Sequence, residues 1–235
     1  MLSKARKVDP RIIRTRHLLR DALVSLIDES GYDSITVQDI TDRATINRAT
    51  FYLHYRDKHD LLISSTDDIL LELITNLDMT NTPTVTFVDL EEPPPSFVGM
   101  FEQIAKHADF YRVMLAKQHI PYFVTRLQEV LAGFIQEGMS SVLAKENELT
   151  VPREMVIRYT SSAFLGVVIW WLENDMSYSP KYMASRLLRM ATKGPYANDP
   201  FYSKTKNQPR FVQIKGVGLR CLSKLKKLPA NGQLF

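Results

Sequence analysis

Residues 35–62 read ITVQDITDRATINRATFYLHYRDKHDLL, and this stretch decides the fold. Thr36 stands where a helix N-cap belongs, and Asp39, three residues later, has the spacing of a capping box. The pattern predicts a helix over 37–44. One face of this helix is apolar at spacings of three and four residues: Val37, Ile40 and Ala44. That face must pack against another part of the chain.

A second short helix is predicted over 48–55, because Asn47 is a good N-cap and Phe51 and Tyr55 share a face four residues apart. Only residues 45–47 separate it from the first helix. Two helices joined by so short a turn form a helix-turn-helix, whose second helix enters the major groove of DNA.

The second helix leaves polar side chains available to DNA. Arg reads guanine O6 and N7, Thr touches a thymine methyl, and Tyr packs on bases or phosphate. We expect base contacts from Arg48, Thr50 and Tyr52. Phosphate contacts are expected from Thr36, Gln38, His54 and Lys58, and the predicted DNA-binding set also includes Asn47 and Ala49. The alternative for each residue is a solvated side chain without a partner.

Three segments together resemble the DNA-binding domain of the TetR family of bacterial transcription regulators. They are ITVQDI at 35–40, ATINRATFYLHYRDKHDLL at 44–62, and the preceding helix that ends in Gly31 and Tyr32. The resemblance covers residues 11–77 in register. It implies an all-α regulator: a three-helix helix-turn-helix domain, linked by a long helix to a helical regulatory and dimerisation domain.

The flanking sequence fits this organisation. A first helix is predicted over 11–30, with a stripe of Ile12, Leu19, Leu23, Leu26 and Ile27 and a stop at Gly31. Asp57 caps a long third helix that ends near Leu77. We divide the chain into a helix-turn-helix DNA-binding domain (1–78), a proline-containing linker (79–95), a helical ligand-binding and dimerisation domain (96–197) and a basic, disordered tail (198–235).

The regulatory domain is predicted as five helices, of which the second is a short helix capped by Asp109 and the others begin at Pro95 or Ser96, Pro121, Arg153 and Pro180. Aromatic, Met and Leu side chains concentrated there predict a pocket for a small apolar ligand: Phe101, Met114, Phe123, Leu127 and Tyr159. The alternative is plain core packing.

The helix predicted over 153–174 is apolar around most of its circumference, so we expect it to be buried on both sides. The resemblance implies that the last two helices form a four-helix dimer interface. The residues expected there are Phe164, Val167, Val168 and Trp171.

Composition argues against several other classes of protein. The single Cys221 excludes an intrachain disulfide, and the five histidines form no His-Glu-x-x-His pair. No phosphate-binding glycine loop is present, so we predict no catalytic, metal or cofactor site. The most apolar run, 163–172, is about half the ~20 residues that a membrane helix needs. With no secretory signal, the expectation is a cytoplasmic protein without a membrane partner.

The sequence therefore predicts a homodimeric regulator of transcription that binds double-stranded operator DNA. In its specific form the prediction is a repressor that leaves its operator when a small-molecule effector binds. Two alternatives remain open: a DNA-binding regulator that senses a protein partner, and an all-helical enzyme.

Overall fold

The computed structural model describes residues 9–76, 92–142 and 149–195, and all regular elements in these ranges are helical. In chain order the α-helices are α1 (Pro10–Ser30), α2 (Val37–Ala44), α3 (Arg48–Tyr52), α4 (Lys58–Asn76), α5 (Pro95–Lys106), α6 (Ala108–Tyr111), α7 (Pro121–Val142), α8 (Arg153–Glu173) and α9 (Pro180–Lys193). A π-helical turn, Arg112–Lys117, follows α6. The predicted all-α class is confirmed.

Helix α1 begins and ends close to the predicted positions. The Asp9 carboxylate accepts a hydrogen bond from the Arg11 backbone N–H at 2.9 Å, and the Gly31 N–H donates to the Ile27 carbonyl at 3.0 Å. The predicted stripe is wrong at its first member, because Ile12 is exposed. The inner face of α1 starts at Leu19, where the helix begins to pack against its neighbours.

The two helices of the helix-turn-helix form as predicted, although α3 is shorter. Helix α2 has the predicted bounds, whereas α3 ends at Tyr52 instead of Tyr55. After Tyr52 the backbone forms a tighter turn, in which the Phe51 carbonyl accepts hydrogen bonds from the N–H groups of both His54 and Tyr55, each at 2.9 Å. Tyr55 is nevertheless buried beside Phe51, so the predicted inner face is confirmed.

Helix α4 is the long helix that leads away from the helix-turn-helix. Asp57 caps it by accepting from the Asp60 N–H at 2.8 Å. The Asp60 carboxylate accepts from the Arg56 N–H at 2.9 Å, so the reciprocal bond reaches one residue further back than a capping box would. With 19 residues the helix is about 28 Å long.

The largest departure from the predicted pattern of helices lies between α5 and α7. Asp109 does not cap a helix but lies inside the four-residue α6, and the chain then continues as the π-helical turn. The Gln118 N–H donates to the Val113 carbonyl at 3.0 Å, five residues back. A π turn holds one more residue than an α turn, which sequence periodicity does not reveal.

Buried side chains from α1 to α9 form one continuous hydrophobic cluster, which joins the helix-turn-helix to the regulatory helices. Helix α8 is long and apolar enough to cross a membrane by length and composition alone, with a mean hydropathy of 1.4. A core helix of a soluble protein passes the same test, and α8 packs its inner face into this cluster. Most of the predicted linker and all of the predicted tail lie outside the described residues, so those domain boundaries remain predictions.

Candidate nucleic-acid interface

The start of α2 is fixed by the predicted capping box. The Thr36 hydroxyl accepts from the Asp39 N–H at 3.2 Å, and the Asp39 carboxylate accepts from the Thr36 N–H at 2.8 Å. The hydroxyl also donates to that carboxylate at 2.7 Å, and hydrogen bonds from Thr36 lower the pKa of Asp39. Thr36 therefore orders the helix start in addition to its predicted phosphate contact. The other predicted residue here, Gln38, is exposed and donates to Asp42 at 2.7 Å.

The turn between α2 and α3 relies on an unusual backbone conformation. Thr45 has φ 55° and ψ 44°, in the left-handed region that β-branched residues rarely adopt. Its N–H donates to the Asp42 carbonyl at 3.1 Å, and the N–H of the half-buried Ile46 donates to the Thr41 carbonyl at 2.9 Å. The Asn47 side chain then accepts from the Ala49 N–H at 2.7 Å, which confirms the predicted cap of α3.

Helix α3 presents one side to the core and the other to solvent. Phe51 is buried, with its ring centroid 5.8 Å from that of Tyr55. On the outer side, Arg48 donates to the Tyr52 hydroxyl at 3.2 Å, and its guanidinium lies 5.6 Å from the Tyr52 ring centroid. This contact holds the arginine along the exposed surface before any DNA is bound.

The other predicted DNA-binding residues surround this pair. Ala49 is exposed, and Thr50 is partly exposed. His54 is also partly exposed, with its ring 6.2 Å from that of Tyr55. The structure thus brings the predicted base-contacting residues together on one short helix.

Lys58 has a different position from the one expected of a phosphate contact. Its ammonium donates to the backbone carbonyls of Tyr32, Asp33 and Ile35 at 3.0, 3.1 and 2.8 Å. It also lies 4.7 Å from the Tyr32 ring centroid. Because all three ammonium protons have acceptors within the chain, the structure gives Lys58 a structural role: it ties the start of α4 to the loop between α1 and α2.

A bidentate ion pair braces α2 against α1. The Arg43 guanidinium donates to the two carboxylate oxygens of Glu29 at 2.6 and 2.7 Å and to the Ser25 hydroxyl at 2.5 Å. Hydrogen bonds from Arg43 and then Ser25 lower the pKa of Glu29 to about 2. Arg43 is therefore held against α1.

A second polar cluster connects α4 to the regulatory helices. The Glu72 carboxylate accepts from Gln103 at 2.8 Å, from Lys106 at 3.2 Å and from the His107 ring at 2.9 Å. Burial raises the pKa of Glu72, but the hydrogen bonds outweigh it and bring the pKa to about 2. Helix α4, which follows the helix-turn-helix, is thus tied to α5 through the charged carboxylate of Glu72.

Four of the five predicted ligand residues are buried within the regulatory domain: Phe101, Met114, Phe123 and Leu127. They belong to a densely packed core, in which the Phe123 ring centroid lies 5.3 Å from that of Phe110 and 5.5 Å from that of Tyr111. The fifth residue, Tyr159, is not with them, because its side chain is 74% exposed on α8.

Buried hydroxyl groups without a hydrogen-bond partner lie in the core. They are the hydroxyls of Tyr111, Thr66 and Ser65. An unpaired buried hydroxyl costs about 1 to 3 kcal/mol. Burial, and then the charge of Glu72, raise the pKa of Tyr111, so its hydroxyl stays protonated and able to donate. The sequence pattern did not single out this residue.

Two surface clefts lie outside that core. One, of about 680 Å³, lies between α1 and residues 105–117, and the other, of about 500 Å³, lies between α1 and α4. None of the predicted ligand residues lines either cleft. Cations around them are paired with acidic groups, as in the Lys117–Asp28 pair at 2.7 Å. Among the described residues no group of three metal-ligating side chains occurs.

The structure corrects the position of the predicted dimer residues on α8. Phe164, Val168 and Trp171 are buried inside the protomer, with the Phe164 and Trp171 ring centroids 5.4 and 5.6 Å from that of Phe101. Val167 is half-buried. Five exposed residues of α8 form a stripe on the opposite face at spacings of three and four: Met155, Tyr159, Ala163, Gly166 and Trp170.

Two family models match the chain in the order that the fold requires. One describes bacterial regulatory proteins of the tetR family and matches residues 19–64, which include α2 and α3. The other describes a transcriptional regulator C-terminal region and matches residues 91–193. The two matches place this chain in the class of helix-turn-helix regulators of transcription. The chain belongs to the TetR family, so the resemblance seen in the sequence is confirmed.

Curated relatives from Bacillus subtilis (strain 168) are regulators too. The chain is 23% identical to the uncharacterized HTH-type transcriptional regulator YxbF over 79% of its own length and 47% of that protein. It is 24% identical to a fatty acid metabolism regulator protein over 74% of its length and 92% of that protein. The chain thus spans about half the length of YxbF and nearly all of the other. Both relatives are named as regulators, and both family models describe transcriptional or regulatory proteins.

Solved structures share the fold. A TetR transcriptional regulator from Streptococcus agalactiae 2603V superposes with a TM-score of 0.56 and 23% identity, covering 77% of this chain and 95% of that one. FadR from Bacillus subtilis, in complex with stearoyl-CoA, superposes with a TM-score of 0.52 and 20% identity, covering 77% of this chain and 99% of that one.

Proposed function

We propose that this TetR-family regulator is a homodimeric repressor, which a small and largely apolar ligand releases from its operator. The reading surface of α3 supports specific binding to duplex DNA, because Arg48 is held by Tyr52 on the exposed side of a capped helix. Bidentate Arg contacts to guanine are worth about 1 to 3 kcal/mol of discrimination.

The observation that carries the ligand part of the proposal is the Tyr111 hydroxyl. It is buried without a partner in the aromatic core that holds Phe101, Phe123 and Met114. A ligand that separates these side chains gains apolar contacts and supplies an acceptor for the hydroxyl. Such a ligand favours a state in which the regulatory helices pack differently. Helix α4 connects these helices to the helix-turn-helix, so the change in packing reaches the DNA-binding residues. It releases DNA only to the extent that it binds the DNA-incompetent state more tightly.

The relatives suggest which compounds to test first. A regulator with the same fold is seen in complex with stearoyl-CoA, and another relative is named as a fatty acid metabolism regulator. Acyl-CoA thioesters and free fatty acids of graded chain length are therefore the first probes. Their common chemistry is a long apolar chain with a polar carbonyl end.

The experiment starts from DNA fragments taken from the region upstream of the protein's own gene. A labelled fragment is bound by the protein, and each probe is titrated while fluorescence anisotropy reports release. Tyr111→Phe removes the unpaired hydroxyl without changing the ring. We expect this variant to be more stable by about 1 kcal/mol when ligand-free and to bind the ligand less tightly.

Two results would contradict the proposal at different points. If no upstream fragment binds better than random duplex DNA, specific operator binding fails. If a probe binds but operator DNA leaves its affinity unchanged, the ligand is not a switch, because coupling between two sites must be reciprocal. Phe123→Leu serves as a control that changes packing but leaves the hydroxyl in place.

The dimer is proposed to form through the exposed face of α8 together with α9. Trp170, Tyr178 and Tyr182 form an exposed stack with centroid separations of 6.1 and 4.8 Å, and the Arg186 guanidinium lies 5.2 Å from the Tyr182 ring. Gly166 on the same face of α8 leaves room for a close approach. Aromatic groups of this kind are enriched where protein partners meet.

A charge placed in that face should separate the protomers. Trp170→Glu would bury an unpaired carboxylate in the interface, so sedimentation should show monomers with weakened operator binding. Leu71→Glu, at an exposed position on α4, is the matched control and should remain dimeric. A wild-type protein that sediments as a monomer at micromolar concentration would refute the dimer.

A further inference from the structure

Leu53 is the most exposed large apolar residue in the described part of the chain, with 82% of its surface accessible. It immediately follows α3 and keeps helical geometry, with φ −71° and ψ −21°. Its N–H donates to the Ala49 carbonyl at 3.3 Å, so it completes the last turn of the recognition helix. The sequence pattern alone predicts no role for it.

The spacing of residues on this turn places two stripes side by side. Residues four apart on a helix lie on the same face, and the Arg48–Tyr52 hydrogen bond shows that contact directly. Ala49 and Leu53 have the same spacing and are both exposed. An apolar stripe, Ala49–Leu53, therefore runs beside the polar stripe, Arg48–Tyr52.

The fold itself makes no use of Leu53. The inner face of this region is formed by Phe51 and Tyr55, which are both buried. A single exposed leucine elsewhere on a protein surface needs no explanation. This one lies beside the arginine and tyrosine proposed to read DNA, so binding in the major groove would remove it from water.

The major groove offers one apolar group on the edges of the bases, the C5 methyl of thymine. We propose that the Ala49–Leu53 stripe reads thymine in each half-site through contact with this methyl group. The inference rests on the proposed DNA binding and deepens it. Arg48 and Tyr52 then read polar edges, while the neighbouring stripe selects for thymine at an adjacent base pair.

The expected size of the effect follows from the area of one methyl group. Burying one CH2 or methyl group contributes about 0.8 kcal/mol, which corresponds to a change in affinity of about fourfold. Two equivalent contacts in the two half-sites of a dimer give about tenfold or more. Replacing thymine by uracil removes only the methyl group and leaves base pairing unchanged, so it isolates this contact.

The experiment first selects duplex sites for the full chain from a random library, and the selected site is then remade with single thymines replaced by uracil. For the wild-type protein, uracil in place of a single thymine should weaken binding about fourfold, and uracil at the equivalent thymine of both half-sites should weaken it about tenfold or more. For Leu53→Ala, binding to the thymine site should weaken by a similar factor, and the same uracil substitution should then have little further effect. Leu53→Met keeps a long apolar side chain and should retain the sensitivity to uracil.

Leu71→Ala is the matched control, because Leu71 is also an exposed leucine but lies on α4, thirteen residues and about 20 Å along the helix from Lys58. It should change neither affinity nor uracil sensitivity. Thermal unfolding should show that Leu53→Ala is as stable as the wild-type protein, since the side chain packs against nothing in the fold.

Each other outcome overturns the inference. If Leu53→Ala weakens thymine and uracil sites equally, the side chain packs on sugar and phosphate and does not read the base. If no uracil substitution affects wild-type binding, thymine is not read through its methyl group. Both results leave the proposed function intact, whereas failure of the library to yield any preferred site would overturn the proposed function itself.

Discussion

Replacing Lys58 by methionine tests the role that the structure gives to this residue. Methionine has nearly the length of lysine but cannot donate to the carbonyls of Tyr32, Asp33 and Ile35, which now accept at 2.8 to 3.1 Å. The ammonium also stands in the first turn of α4, where the helix dipole disfavours a cation. The three carbonyls offset that cost and hold the loop before α2 in place.

The size of the loss can be bounded from these contacts. A hydrogen bond that involves a charged group contributes about 1.5 to 3 kcal/mol, but three bonds to one ammonium do not add. Water can replace the ammonium at the more exposed carbonyls. We therefore expect Lys58→Met to lower the free energy of unfolding by about 2 to 4 kcal/mol.

The assay has two measurements. Urea unfolding followed by circular dichroism gives the stability change, and the salt dependence of operator affinity reports how many phosphates the protein neutralises. Removing a cation that binds phosphate would reduce the slope of log affinity against log salt by about 1 for each phosphate it neutralised. Lys58→Arg is the control, because it keeps the charge but changes the shape of the donor.

The two roles give opposite results. If Lys58 acts within the fold, Lys58→Met is destabilised and its salt slope is unchanged under conditions where it is folded. Unchanged stability together with a smaller salt slope would refute the structural role and restore the phosphate contact that the sequence suggested.

Three further changes test other local features. Thr45→Gly should raise the free energy of unfolding by about 0.5 to 1 kcal/mol, because glycine adopts the left-handed conformation without strain; thermal unfolding measures this. Asp39→Ala should lower the free energy of unfolding, since the capping box of α2 is removed. Glu72→Gln should lower it by about 1 kcal/mol at pH 7, a small value because the carboxylate is partly exposed.

The effect of Glu72 should also depend on pH in a defined direction. Its pKa is lowered from an ordinary value of 4.5 to about 2 in the folded chain. Its charged contacts therefore stabilise the protein fully above pH 4.5, and this contribution disappears as the pH falls toward 2. The stability difference between the wild-type protein and Glu72→Gln should narrow over that range. A difference that stays constant with pH would show that the charge of Glu72 is not involved.

The predictions for Thr45→Gly and Asp39→Ala can each be contradicted by a stability measurement. A Thr45→Gly protein that is less stable than the wild type would mean that the threonine side chain makes a stabilising contact. An Asp39→Ala protein with unchanged stability would mean that water replaces the cap without cost. Asp33→Ala, at an exposed loop position outside both the capping box and the turn, is a suitable control for both.

Features that depend on neighbouring residues were predictable from the sequence. The caps at Thr36 and Asn47 follow from the chemistry of a few adjacent groups, so the bounds of α2 and the start of α3 were predicted correctly. The end of α3 was not, because no glycine or proline marks the turn after Tyr52. The π-helical turn also left no signal, since one extra residue hardly alters the apolar pattern.

Features that depend on which side of a helix faces the core were not predictable. Helix α8 is apolar on most of its circumference, so its sequence does not distinguish an inner face from an outer one. The packing of Phe101 against Phe164 and Trp171 makes that distinction in the structure. Tyr159 was expected inside and lies outside for the same reason. Lys58 was predicted to bind phosphate from its position beside the recognition helix, whereas its acceptors lie more than twenty residues away in the chain.

On the short helix α3, the side chains proposed to read DNA are different from the side chain that anchors the helix in the core. Of its five residues only Phe51 is buried, so we expect substitutions of the exposed residues to change stability little. Substitutions on the outer side can therefore accumulate without unfolding the protein. After gene duplication, one copy could acquire specificity for a new operator through a few substitutions on this surface. The same substitutions would allow the operator specificity to be engineered without changing the core.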